Sequence, residues 1–81
     1  MHELSLAQGL LTQIKELAAA HEATKIITVR VSIGYNSGIV VDSFSFGFNA
    51  IKADDELTGD TVLEISRTEG ADLMLMQVEM E

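Results

Sequence analysis

Apolar positions recur along the chain with two different periods, and the changes of period mark its elements. Between Glu3 and His21, Leu6, Leu10, Ile14 and Leu17 fall at helical spacing, Leu11 and Ala18 widen the stripe, and no proline or β-branched run interrupts it. This segment predicts an amphipathic helix. Gly9 within it costs about 1 kcal/mol relative to alanine, which points either to close packing against another element or to a tolerated defect. From Lys25 to Ile33 the period drops to two, with Ile27, Val29, Val31 and Ile33 facing one way and Thr28, Arg30 and Ser32 the other, as in a half-buried strand. Gly34-Tyr35-Asn36-Ser37-Gly38 then reads as a turn, because glycine and asparagine reach positive φ cheaply.

The stretch Ile39 to Ala53 fits both periods. Phe44, Phe46 and Phe48 alternate as in a strand, while Val41, Phe44, Phe48 and Ile51 occupy one helical face. Its length decides for a helix, since an uninterrupted run of this size exceeds the usual strand. The acidic linker Asp54-Asp55-Glu56-Leu57-Thr58-Gly59-Asp60 follows, then two β-like runs, Thr61–Arg67 and Ala71–Met80, with Gly70 between them. A tight connection at Gly70 predicts a terminal hairpin. The fold class expected is a small two-layer α/β sandwich, two helices packed on a three-stranded sheet, in the order helix, strand, helix, strand, strand.

Length fits this picture: 81 residues suffice for one domain over residues 1–81 and leave no room for a second. The absence of cysteine excludes a disulfide framework, a cysteine-ligated zinc site and thiol catalysis from this chain, leaving two histidines for soft metals. Met1-His2-Glu3 does not resemble the start of a signal peptide, and no apolar run approaches the roughly 20 residues of a membrane span, so a soluble, cytoplasmic protein is expected. The formal charge of −8 is unevenly distributed: four acids balance four bases up to Lys52, whereas nine acids face only Arg67 afterwards. That distribution argues against nucleic acid and anionic membranes as partners, and it suits a basic protein, a cation or simple solubility.

Enzymatic constellations are missing. Ser37-Gly38 lacks the strand context of a nucleophile elbow, and neither a P-loop nor a dinucleotide fingerprint occurs. His21 follows Leu17 by one helical turn, where an imidazolium would interact with the helix dipole and the last carbonyls. His2 differs because of its position. If Met1 retains its α-amine, that amine, the ionisable amide of residue 2 and the His2 imidazole can converge on one metal, with the next amide or the Glu3 carboxylate adding a donor. Such nitrogen-rich, planar coordination suits Ni(II) or Cu(II) rather than Mg or Ca. Taken alone, one histidine near a chain end is a weak signal.

Met1-His2-Glu3-Leu4-Ser5-Leu6, Val29-Arg30-Val31-Ser32-Ile33-Gly34 with Ser37-Gly38, Phe44-Ser45-Phe46-Gly47-Phe48 and Leu63-Glu64-Ile65, in this order, resemble the HypA family over essentially the whole chain. The resemblance implies a nickel metallochaperone for maturation of nickel–iron hydrogenase and, in some organisms, urease, with nickel held by Met1, His2 and Glu3. Some members carry an acid shortly after the turn matching Ser37-Gly38; here Asp42 is the nearest carboxylate. The family also carries a zinc-binding insertion with two Cys-x-x-Cys pairs between its last two strands, where this chain has only Arg67-Thr68-Glu69-Gly70-Ala71. No zinc is therefore expected. The resemblance implies a non-catalytic maturation factor that passes Ni(II) to a hydrogenase-maturation GTPase or the hydrogenase large subunit. The alternative is a metal-independent interaction domain on the same scaffold, in which the strand edges and Met74, Met76 and Met80 support a homodimer.

Overall fold

The structure, a computed structural model, describes residues 3–81. Helix α1 spans Glu3–Ala20, strand β1 Ile26–Gly34, helix α2 Val41–Ile51, strand β2 Val62–Thr68 and strand β3 Leu73–Met80; a short 3-10 turn, Lys52–Asp54, extends α2. The expected element order and two-layer architecture are observed. Both helices lie on one face of the sheet. Ala7, Leu10, Ile14 and Ala18 of α1 and Phe44 and Phe48 of α2 are buried with Ile26, Val29, Val31 and Ile33 of β1. Leu63 and Ile65 of β2 and Leu73, Leu75, Val78 and Met80 of β3 complete this core.

The ambiguous phenylalanine run is resolved by burial. Phe44 and Phe48, one turn apart, are fully enclosed, whereas Phe46 is 78% exposed, which only the helical period allows. Close helix packing falls at Gly47, not Gly9. A Cβ at Gly47 would meet Leu4 Cδ1 at 3.4 Å and Ala7 Cβ at 3.8 Å, whereas one at Gly9 would find nothing within 4 Å. Gly9 is thus a tolerated defect. His21 sits at the end of α1 with its Nδ1 2.9 Å from the Leu17 carbonyl oxygen, in the helix-terminal position expected for it.

Two expectations fail. The last two strands do not form a hairpin: the sheet order is β2-β1-β3, with β1 parallel to β2 and antiparallel to β3. Placing β1 centrally lets it bury apolar side chains against both neighbours, and the β2–β3 connection must then pass over the end of β1. Strict alternation also breaks at the start of β1, where a register irregularity between Ile26 and Thr28 buries Ile26 and leaves Ile27 36% exposed. A bulge of this kind reverses the facing of the residues before it.

The crossover explains Gly34. Gly34 N donates to Asp72 O (2.9 Å), Tyr35 N to Thr68 O (2.8 Å) and Asn36 N to Gly70 O (2.8 Å). A Cβ on Gly34 would overlap the Gly70 carbonyl and lie 2.9 Å from Ala71 N, so no larger residue fits beneath the crossover. Gly70 and Gly38, at φ 109° and 78°, supply the left-handed bends that bring the crossover and the following turn back against the sheet. Arg67 fastens the same corner: its Nε and Nη2 donate to the carbonyls of Ile33 and Gly34 (3.0 and 3.3 Å), and its guanidinium stacks 4.8 Å from the centre of the Tyr35 ring.

Candidate metal centre

Of the three residues expected to hold nickel, Met1 and His2 lie outside the described residues, and Glu3 is the first residue of α1. Glu3 is only 6% exposed. Its Oε2 accepts a hydrogen bond of 3.0 Å from the backbone N–H of Val40, the residue that caps α2. The carboxylate therefore stands at the amino-terminal ends of both helices, where partial positive charge from unpaired N–H groups stabilises an anion. This accounts for burial of a charged side chain at the chain's edge. It also fixes the start of α1 to the start of α2, so that residue 3 has a defined place in the fold.

Beside Glu3 lies a pocket of about 470 Å³ walled by three segments: Glu3 and Leu6 of α1, Ser37, Gly38 and Ile39 of the turn after β1, and Ala71, Asp72 and Leu73 of the crossover into β3. Its walls are braced by the crossover bonds to Gly34, Tyr35 and Asn36, and by Ile39 N donating to Ser37 Oγ (3.2 Å). The side chain of Asp72 is exposed, and its backbone oxygen alone is used in the bracing. Oxygen donors thus collect where the chain's nitrogen-rich end begins, a donor set that fits a borderline divalent ion such as nickel. Asp42 is exposed in the first turn of α2 and does not line this pocket. Asp72 was not singled out from the sequence. Only the crossover, which reflects long-range strand order, carries it to the Glu3 end.

The acid-rich segment Asp54–Asp60 lies elsewhere, and two of its four acids, Asp55 and Asp60, are ion-paired. Asp55 accepts from Leu57 N (2.9 Å) and pairs with Lys15 (3.3 Å), which together hold its carboxyl below the ordinary aspartate range. Asp60 pairs with Lys25 at 3.5 Å. Thr61 Oγ1 donates to Ile26 O (2.6 Å), Ile26 N to Leu57 O (2.9 Å) and Thr58 Oγ1 to Lys52 O (2.7 Å), while Lys52 Nζ donates to Thr61 O. This end is a brace. Among the described residues, no group of three or more His, Cys, Asp or Glu side chains is placed to hold a metal.

Fold and site together define a small two-layer α/β domain in which Glu3 and Asp72 line one carboxylate-bearing pocket. Comparison with known proteins gives the family. Residues 1–78 match the family model described as hydrogenase/urease nickel incorporation, metallochaperone, hypA, and the chain belongs to the HypA family. The hydrogenase maturation factor HypA of Solidesulfovibrio magneticus is 44% identical over 59 residues, covering 73% of this chain and 50% of that protein. The hydrogenase maturation factor HypA of Azorhizobium caulinodans is 30% identical over 79 residues, covering 98% of this chain and 60% of that protein. The chain therefore spans about half to three-fifths of the length of these relatives. The solution structure of the Ni metallochaperone HypA from Helicobacter pylori shares the fold with a TM-score of 0.78 at 19% identity, the match covering 100% of this chain and 94% of that one. A second HypA solution structure gives a TM-score of 0.84 at 22% identity, covering 100% and 97% of the two chains.

Proposed function

We propose that this chain is a non-catalytic nickel carrier: it holds Ni(II) through Met1, His2 and Glu3 and passes it, in the cytoplasm, to a hydrogenase-maturation GTPase or the hydrogenase large subunit, or to urease. The observation that supports the proposal is the anchoring of Glu3, the third residue of the matched motif, at the edge of a pocket. Because the Glu3 carboxylate already accepts from Val40 N, its oxygen serves first as a tether, and the Met1 amine, the His2 amide and imidazole and the Glu3 amide supply the main nitrogen donors. Residues 1–81 act as one nickel-binding unit, without the zinc module that the resemblance places between Arg67 and Ala71.

The physical logic is exchange. A site on a chain end has few protein ligands and one open side, so an incoming ligand set can attack the ion and remove it. Protons compete for the amine, amide and imidazole, so acid favours release. The test is calorimetric titration of untagged protein with Ni(II). The proposal expects His2→Ala to abolish binding and a residue added before Met1 to impair it; unchanged affinity in both variants overturns the assignment.

A second reading is favoured by the uncovered face of the sheet. Val62, Met74 and Met76 are each more than half exposed there, and β2 and β3 leave both sheet edges unpaired. This surface suits strand pairing in a homodimer or docking of a partner without metal. Light scattering with and without Ni(II) separates the readings: a dimer that forms without nickel, in a protein that takes up none, supports the second.

A further inference from the structure

We propose that the groove between α1 and the free edge of β3 binds an extended segment of a partner protein, with apolar and basic residues in alternation, as a fourth strand of the sheet. The groove is built from described residues alone and does not depend on whether the chain carries nickel. In the order β2-β1-β3, strand β3 lies at an edge, so alternate residues of Leu73–Met80 turn their backbone N–H and C=O groups away from β1. Among the described residues no strand pairs with that edge, and β3 contains neither the lysine nor the proline that commonly guards one. Nor does α1 close the layer above it. Two pockets open between them, one of about 330 Å³ lined by Leu6, Gly9, Gln13, Leu73 and Leu75, the other of about 380 Å³ lined by Leu17, His21, Leu75, Val78 and Met80. The apolar side chains of both are only half-buried. The lining runs from Ser5 to His21 along α1, about 24 Å at helical rise, and β3 extends about 26 Å, so a strand of about eight residues matches both walls.

The backbone groups of the edge select an extended ligand, and pockets on one side of it select apolar side chains at every second position. Charge selects the others. Residues 68–81 include Glu69, Asp72, Glu79 and Glu81 and no lysine or arginine. Glu79, opposite Thr28 in the register, is exposed and joins no ion pair among the described residues. Lysine or arginine on the outward face of the added strand would stand across from it. A second copy of this chain suits the edge poorly, because it brings a further charge of −8 and the same acids. Gly9 leaves the α1 wall without a side chain, and a Cβ there would meet nothing within 4 Å. A large residue at this position therefore obstructs the groove without displacing any part of the fold.

The experiment uses the full chain in metal-free buffer and a fluorescein-labelled synthetic octapeptide that alternates lysine with valine, with binding read by fluorescence anisotropy. Wild type is expected to bind it and to ignore the same peptide with glutamate in place of lysine. Methylating alternate backbone amides of the peptide should abolish binding in one of the two possible phases, because one edge of the ligand pairs with β3. Gly9→Phe is expected to weaken binding by about tenfold or more, with no fall in the urea midpoint of unfolding. No binding by wild type overturns the proposal. Equal binding of both methylated peptides, or of Gly9→Phe and wild type, marks plain charge attraction and overturns it as well. A dimer seen by light scattering that Gly9→Phe removes would give the groove to a second copy and overturn the assignment to a basic partner.

Discussion

The two ends of β1 are closed in different ways. At the Ile26 end, side chains do the work: Thr61, Thr58, Lys52, Asp55 and Lys15 form a hydrogen-bonded and ion-paired brace around the strand start. At the Gly34 end the closure is mainly backbone to backbone, with Arg67 fastening the corner and the carboxylates of Glu3 and Asp72 beside a pocket. Acid density alone would choose the first end as the cation site, since the segment Asp54–Asp60 is the most acidic in the chain. The bonding differs between the two ends. At the first end Asp55 and Asp60 are paired with Lys15 and Lys25 and stabilise the fold, whereas at the second the Glu3 carboxylate joins the starts of the two helices.

This contrast can be broken at each end. The largest effect is expected for Gly34→Ala, whose methyl group must displace the Gly70 backbone; overpacking against backbone should cost about 3 kcal/mol in urea unfolding. The same variant should weaken nickel binding, because it moves the crossover. Next comes Thr61→Val, which leaves the Ile26 carbonyl without its buried hydroxyl donor. A loss of about 1–2 kcal/mol is expected, with nickel affinity unchanged. If Thr61→Val weakens nickel binding as much as Gly34→Ala does, the division of labour between the ends is wrong.

Smaller effects sharpen the comparison. The Asp55 carboxyl is held low by Leu57 N and Lys15, so its contribution to stability is present above the unfolded aspartate value of about 3.9 and is lost as pH falls through the lower folded value. Unfolding of wild type and Asp55→Asn across that range should therefore show wild type more stable at neutral pH and the gap closing in acid; a gap that widens in acid contradicts the sign. Arg30→Ala removes contacts of 2.6 Å to both Glu64 and Gln77 on the uncovered sheet face. The groups are largely solvated, so a cost below about 1 kcal/mol is expected.

Both helices and the turn at Gly34–Gly38 could be read from the sequence because their signals are local: the stripe of α1, the uninterrupted length of the run that contains α2, and Gly38 at positive φ. Strand order could not. Whether β3 pairs with β2 or with β1 depends on competition for burial across the sheet, and nothing near Gly70 records it. The Ile26–Ile27 reversal was hidden for a related reason, since both residues are isoleucine and a bulge alone decides which is buried. The candidate site divides in the same way. Met1-His2-Glu3 is a contiguous motif, whereas Asp72 comes to the pocket beside Glu3 only through topology, and Asp42, nearer in sequence, does not line it.

The central claim, that nickel binds at the Gly34 end beside Glu3 and the crossover, is tested most directly by amide NMR of the isotope-labelled chain during titration with Ni(II). The account predicts that the amides of residues 3–6, 37–40 and 71–73 shift or broaden together at the first equivalent, while those of residues 54–61 remain unchanged. Perturbation confined to residues 54–61, with residues 37–40 and 71–73 unmoved, would contradict it.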